Sequence, residues 1–326
     1  MSQAAAFRAS PTHTLFRAWL LRCSVLLLLC GILGHELGAQ LAAPIGEVPT
    51  EAYWSDADRQ TYIDAKGKLD QGQVLSAQER EGLWNVCDRL ALALRDPRYV
   101  TSRVTIRDLL VAADTHAVRA VVNHLLAANA PEEVRLHGII ALRAMADPVA
   151  PKDAILVTLS DPSPAVRLWA VRGAQVKGYA DAGDRLSALA LDDSPEVRLA
   201  AVEAVTALTV SGAEPRLVSM VEREAAGRQP LTDQLSKLEA EKQALEAKAT
   251  RTLEEEMRLV NVSGDIVEVS GKMAFSNLLI YKAGEALNVL TSGAAGQQLK
   301  GYLSPEELQA VIDNLKNTYG SAPSTP

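Results

Sequence analysis

Only three cysteines, five histidines and three phenylalanines occur among 326 residues, and aromatic side chains make up 4% of the chain. So few cysteines exclude a disulfide-built scaffold. So few aromatics leave Ala, Leu and Val to build the core. Ala and Leu head the order of helix formers, whereas β-branched and aromatic residues head the order of strand formers, so the composition predicts an all-α protein. Basic residues are also short, with 33 Lys and Arg against 40 Asp and Glu, a net charge of −7. Nucleic-acid binding rests on clustered cations facing phosphates, so nucleic acid is not an expected partner.

Sequence signatures of catalysis are missing too. There is no G-x-S-x-G elbow, phosphate-binding loop or dinucleotide glycine fingerprint. No strand precedes Gly293-Ala294-Ala295-Gly296, which reads as an inter-helix loop. Beyond residue 40 the histidines are His116, His124 and His137. Eight residues on one helix separate side chains by about 80°, a poor arrangement for one metal. The acidic pairs Glu132-Glu133, Asp192-Asp193 and Glu306-Glu307 fall at expected helix starts, where carboxylates favour the helix dipole. Catalytic residues, metal ligands and cofactors are therefore all expected to be none, and the chain is expected not to be an enzyme.

The longest apolar run, Cys23 to Leu33, is shorter than the roughly 20 residues that span a bilayer. Arg8, Arg17 and Arg22 precede it and Leu37-Gly38-Ala39 follows, the pattern of a secretory signal cleaved after about Ala39. Bulky Leu29 directly before Cys30 argues against lipid attachment. The expectation is an exported protein, periplasmic or secreted, with no stable membrane span after removal of the signal peptide, 1–39. Loss of Arg8, Arg17, Arg22 and Glu36 takes the net charge from −7 to −9, and loss of Cys23 and Cys30 leaves Cys87 as the sole thiol. Leu83, Val86, Cys87 and Leu90 share one helical face, so Cys87 reads as a small core residue rather than a reactive thiol.

The middle of the chain repeats. Val134-Arg135-Leu136-His137-Gly138-Ile139-Ile140-Ala141-Leu142, Val166-Arg167-Leu168-Trp169-Ala170-Val171-Arg172-Gly173-Ala174 and Val197-Arg198-Leu199-Ala200-Ala201-Val202-Glu203-Ala204-Val205 align without gaps, 32 and 31 residues apart. The eighth column holds Ala141, Gly173 and Ala204, small enough for helices to approach closely. The fourth holds His137, Trp169 and Ala200, a packing or surface position. Asp161-Pro162-Ser163-Pro164 and Asp192-Asp193-Ser194-Pro195 each supply Ser as N-cap and Pro as first helical residue. Asn129-Ala130-Pro131-Glu132-Glu133, before the first copy, has one inserted residue and no Ser. Shorter helices are expected at 152–159 and 182–191, and a weaker helical pair at 103–113 and 117–127, the second carrying the stripe Val118, Val121, Val122, Leu125 and Leu126.

On these residues, over about 101–226, the sequence resembles the HEAT-repeat family, particularly the short bacterial type also found in phycobilisome lyases. The resemblance implies an α-solenoid of about three to four helical pairs. It further implies a structural ladder of Arg135, Asp161, Arg167, Asp192 and Arg198, in which the turn Asp bonds the Arg of a neighbouring repeat. Arg135 would be an end rung, since position 129 holds Asn rather than Asp. Arginines binding an acidic ligand are the functional alternative; a position recurring in every repeat serves stacking first. The hydroxylase members hold iron with His-Glu pairs, but the only His-Glu here is His35-Glu36, inside the signal. No bilin-lyase pattern is identified.

Residues 40–100 read as an N-terminal helical cap, with helices at 51–69 and 77–94 and a capping box at Ser76 and Glu79. Trp54, Trp84 and Leu90 are suited to covering the end of the array, and an aromatic platform for carbohydrate or peptide is the alternative. Residues 227–326 read as a C-terminal helical region. Within it, 231–260 reads as one charged helix with Leu231, Leu235, Leu238, Leu245 and Ala249 at coiled-coil intervals and i, i+4 pairs Asp233–Lys237 and Glu254–Arg258. It is expected either to self-associate or to fold back along the solenoid. Val260, Val262, Ile266, Val267 and Val269 around Ser263-Gly264-Asp265 fit a short hairpin or a helix break. A last helix starts at Ser304-Pro305 with Glu307, and 321–326 reads as a disordered tail. The expected function is an exported protein- or peptide-binding scaffold; the alternative is an assembly or anchoring subunit that self-associates as a homo-oligomer through 231–260.

Overall fold

Capping residues set where the helices begin. Ser55, Ser76, Thr252 and Ser304 each close a capping box, with Asp58, Glu79, Glu255 and Glu307, so that free backbone N–H groups are met reciprocally. Ser163 and Ser194 cap helices whose first residues are Pro164 and Pro195. The computed structural model describes residues 53–291, 299 and 303–320. The expected signal, the Gly293–Gly296 loop and the tail 321–326 lie outside the described residues.

The helices are α1 (Asp56–Asp70), α2 (Ala77–Arg95), α3 (Arg103–Ala112), α4 (Glu132–Ala144), α5 (Lys152–Thr158), α6 (Pro164–Lys177), α7 (Gly183–Ala188), α8 (Pro195–Ala207), α9 (Glu214–Glu246), α10 (Leu253–Leu290) and α11 (Pro305–Tyr319). No strand occurs among the described residues, and the fold is an all-α solenoid. One layer stacks α3, α4, α6, α8 and the C-terminal part of α10, in that order. The second layer holds 114–125, α5, α7 and the first turns of α9. The small eighth column is the inter-layer contact: Ala141, Gly173 and Ala204 are buried, and a Cβ on Gly173 would sit 3.4 Å from Ile155 of α5. Gly138 is more tightly constrained, since a Cβ there would meet the Leu125 side chain at 2.9 Å.

The N-terminal end is covered by α1 and α2. Trp54 lies between Tyr53 and Tyr62, with ring centroids 5.8 and 5.7 Å away, and Leu90 and Cys87 are fully buried. Trp84 stays at the surface with the Arg119 guanidinium 5.3 Å from its ring, so it does not help to cover the array.

Three local expectations are corrected. Residues 114–125 form a 3-10 turn, one α-helical turn and a π-helical turn rather than a regular helix. Asp114 opens the segment at φ +51° and its carboxylate accepts from the Asp147 N–H, so this corner is shaped by tertiary contact. The charged segment 231–260 is not one helix. It belongs to two antiparallel arms, α9 ending at Glu246 and α10 starting after Thr252, which is held by its capping box with Glu255. Arg258 turns to Glu241 across the hairpin at 2.6 and 3.0 Å instead of pairing with Glu254, and Asp233 accepts from Gln229. Finally, α10 runs unbroken through Gly264 and Gly271, so 261–271 is neither a strand hairpin nor a break.

The long hairpin extends the last repeat outward. α9 starts in the core with Leu217, Val218, Met220, Val221 and Glu224 buried, then continues through Pro230, and no residue from 225 to 261 is buried. Its two contacts Arg258–Glu241 and Ser276–Glu224 share one register, which sets Leu238 level with Val262 and Leu231 level with Val269. Among the described residues no helix is long and apolar enough to cross a membrane.

Candidate functional site

Two sets of arginines occupy the array, and they are used differently. The first set bridges repeats. Arg135 donates from Nε and Nη2 to the Asp161 carboxylate at 2.8 and 2.9 Å, and from Nη1 to the Ala130 carbonyl at 2.7 Å. Arg167 does the same one repeat on, to Asp192 at 2.8 Å twice and to the Asp161 and Pro162 carbonyls at 2.8 and 3.0 Å. Their carboxylate partners hold both guanidiniums above the usual arginine range, against the opposing effect of burial. Asp161 and Asp192 also accept from the Ser163 and Ser194 N–H groups, which fixes each turn ahead of its N-cap.

Arg198 departs from the expected pattern. It donates to the Asp192 and Asp193 carbonyls, but its ion pair is with Glu224 of α9 at 2.7 Å, both residues being buried. No turn aspartate follows α8, and the glutamate occupies the equivalent place. A further rung precedes the series: Arg103 of α3 lies 2.6 Å from Glu133 of α4 and donates to the Leu94 carbonyl. The ladder thus runs from α3 to α9, and its arginines are consumed by packing.

The second set lies on the exposed side of the first layer. Arg143 of α4 and Arg172 of α6 place their guanidiniums 5.2 and 5.4 Å from the centroid of the Trp169 ring. Neither makes a hydrogen bond or an ion pair with any described residue, and Arg143 Nε is buried without a partner. Burial first, and then the nearby Arg172 charge, press the Arg143 pKa below the usual arginine range. Val176, one turn beyond Arg172 on α6, is 62% exposed. His137, one repeat before Trp169, is pushed below the usual histidine range by burial and then by Arg107 and Arg103. Among the described residues no group of three or more His, Cys, Asp or Glu has metal-holding geometry.

A third feature is the solvent face of α10. Leu253, Met257, Val260, Gly264, Val267, Gly271, Ala274 and Leu278 alternate at four- and three-residue intervals and carry no charge. They lie opposite the side that buries Val262 and Val269 toward α9. Val260 and Val267 are each 72% exposed, and a Cβ on Gly264 or Gly271 would meet nothing within 4 Å.

Residues 152–236 match the family model for HEAT repeats. The chain carries HEAT repeats. The matched span takes in α5 to α8 and the first two-thirds of α9, the two pairs whose turns carry Asp161 and Asp192. The helical stack continues on the N-terminal side through α4 and α3. No protein of curated function matches the chain. HEAT repeats commonly serve as protein-interaction scaffolds, and HEAT-repeat proteins are generally non-enzymatic.

Proposed function

We propose that the chain is an exported HEAT-repeat scaffold that binds another protein or a peptide along the exposed side of its first helical layer. One contrast carries this reading. The ladder arginines of the array are each ion-paired within the chain, whereas Arg143 and Arg172, on adjacent repeats around Trp169, have no hydrogen-bond or ion-pair partner among the described residues. Solenoids bind through extended surfaces that cross successive repeats, and this cluster bridges two of them, with Arg143 from α4 and with Trp169 and Arg172 from α6. Export rests on Arg8, Arg17 and Arg22 ahead of the apolar run and on the small residues before Gln40. Affinity capture from exported material tests the reading: one specific partner should be recovered by the parent chain and lost when Arg143, Trp169 and Arg172 are replaced together. Recovery of no specific partner contradicts it.

A second reading, an assembly or anchoring subunit, is favoured by the α10 seam. Exposed glycines inside a helix cost about 1 kcal/mol each relative to alanine, and no described residue comes within 4 Å of where a Cβ would stand at Gly264 or Gly271. A second α10 packed along the uncharged stripe gives that space a use. Mass by light scattering separates the two readings: a dimer that Val260→Glu disperses supports assembly, and a monomer at high concentration removes it.

A further inference from the structure

Every arginine of the repeat ladder is paired with a carboxylate. Arg143 and Arg172 are the departure from this economy. They stand over one indole, in a chain with more acids than bases, and no described carboxylate meets either of them. The acids in the neighbourhood are occupied elsewhere. Asp147 accepts from the Val149 and Ala150 N–H groups, and Asp114 from the Asp147 N–H. Lys177, at the end of α6, donates to the Met145 and Asp147 carbonyls.

Two like charges held close together beside an aromatic ring repel each other, and an incoming anion relieves that repulsion. The planar guanidinium presents parallel N–H groups that match a carboxylate two by two. Trp169 holds both guanidiniums by cation–π contact, which lowers the ordering cost of receiving the ligand. Exposed Val176 adds an apolar neighbour for the hydrocarbon part of a side chain.

We propose that the cluster Arg143–Trp169–Arg172 is the docking site for an acidic peptide segment of the partner, one carboxylate being received jointly by the two guanidiniums. The proposal rests on the scaffold reading above and names the chemistry of its partner. It assigns these arginines a role distinct from that of Arg135, Arg167 and Arg198, which hold the array together.

The test uses the purified full chain and a fluorescently labelled oligoglutamate peptide at physiological ionic strength, read by anisotropy. Oligoglutamine and a single-stranded oligonucleotide of equal charge are the comparison probes. The site requires oligoglutamate to bind, oligoglutamine not to bind, and each of Arg143→Gln and Arg172→Gln to weaken binding by about tenfold or more. Arg172 is an exposed helical residue, so its variant keeps the fold even where Arg143→Gln perturbs packing. Arg223→Gln, on the second layer, should leave the affinity unchanged. The proposal is overturned by no binding of oligoglutamate, by binding that both variants retain, or by oligonucleotide binding of equal strength lost in the same variants. A captured natural partner that binds the double variant as tightly as the parent also overturns it while leaving the scaffold reading in place. Absence of any captured partner, with oligoglutamate binding intact, instead counts against the scaffold reading.

Discussion

Arg198 of α8 and Glu224 of α9 lie 2.7 Å apart, both shielded from water, and their ion pair fastens the base of the hairpin to the last repeat. Glu224 also accepts, through its backbone carbonyl, from Ser276 of α10, so one residue ties α8, α9 and α10 together. Removing one member of a buried pair leaves the other charge uncompensated, at a cost of about 3–5 kcal/mol. Glu224→Gln is therefore expected to lower the unfolding free energy by about 3 kcal/mol. Glu241→Gln, at the exposed Arg258 pair farther out, should cost far less, because solvent screens that pair. Urea denaturation of the two variants checks this; equal costs would show that the Arg198 pair is not a structural rung.

Arg167 reaches two turns at once, donating to the carbonyls of its own and the carboxylate of the next. Arg167→Ala should destabilise the chain by about 3 kcal/mol, as expected for a largely buried pair broken from one side. Partner binding should stay nearly unchanged. Thermal unfolding and binding measured on the same sample separate the roles, and lost binding at unchanged stability contradicts the ladder assignment.

Cys87 is fully buried, and burial pushes its thiol from 9 up to about 12. Because the folded state keeps a proton that the unfolded chain gives up, the thiol's contribution is intact below pH 9. It is lost as pH rises toward 12. Stability should therefore fall across that window more steeply in the parent than in Cys87→Ala. The native thiol should also resist a water-soluble disulfide reagent until the chain unfolds; rapid labelling of the folded chain would place Cys87 at the surface.

His137 titrates in the opposite sense. Its pKa is held below the ordinary 6.5 by burial and by Arg107 and Arg103. Below pH 6.5 the unfolded chain takes up a proton that the folded state resists, so stability drops as pH falls from there. His137→Gln should flatten that part of the stability–pH curve, as measured by urea titrations between pH 5 and 7.

Gly264 and Gly271 stand inside α10 with open space where a Cβ would go. Gly264→Ala should raise the stability of the arm by about 1 kcal/mol in the monomer. Hydrogen exchange in 253–271 measures this directly. Protection that falls on substitution, together with loss of a dimer, would instead mark the glycines as a helix-packing surface.

The features legible in the sequence are those written locally. Ser76 with Glu79, Ser163-Pro164, Ser194-Pro195 and Ser304-Pro305 with Glu307 each mark a helix start, because the cap and its partner lie within one turn. The repeat columns place Ala141, Gly173 and Ala204 against the second layer. The turn at 247–252 was hidden because no Gly or Pro interrupts the charges of 231–260; only Thr252 with Glu255 signals a new start. Helical continuity through Gly264 was masked by the neighbouring valines, and the seam with α9 overrides their strand preference. Glu224 was readable from the ladder's own spacing, since Arg135 and Arg167 find partners 26 and 25 residues on and Glu224 lies 26 beyond Arg198. The Arg143–Trp169–Arg172 cluster was not, since Arg143 lies outside the nine aligned columns and meets Trp169 only when α4 and α6 pack.

The central claim is that the exposed side of the first layer receives a partner protein. Site-specific photo-cross-linking tests it most directly, with the probe at Val176 beside Arg172, at Val157 on the second layer, and at Val260 on the arm. The account predicts a cross-link to a different protein from Val176 and none from Val157. Products only from Val260, to a second copy of the same chain, would contradict it and make the α10 seam the working surface.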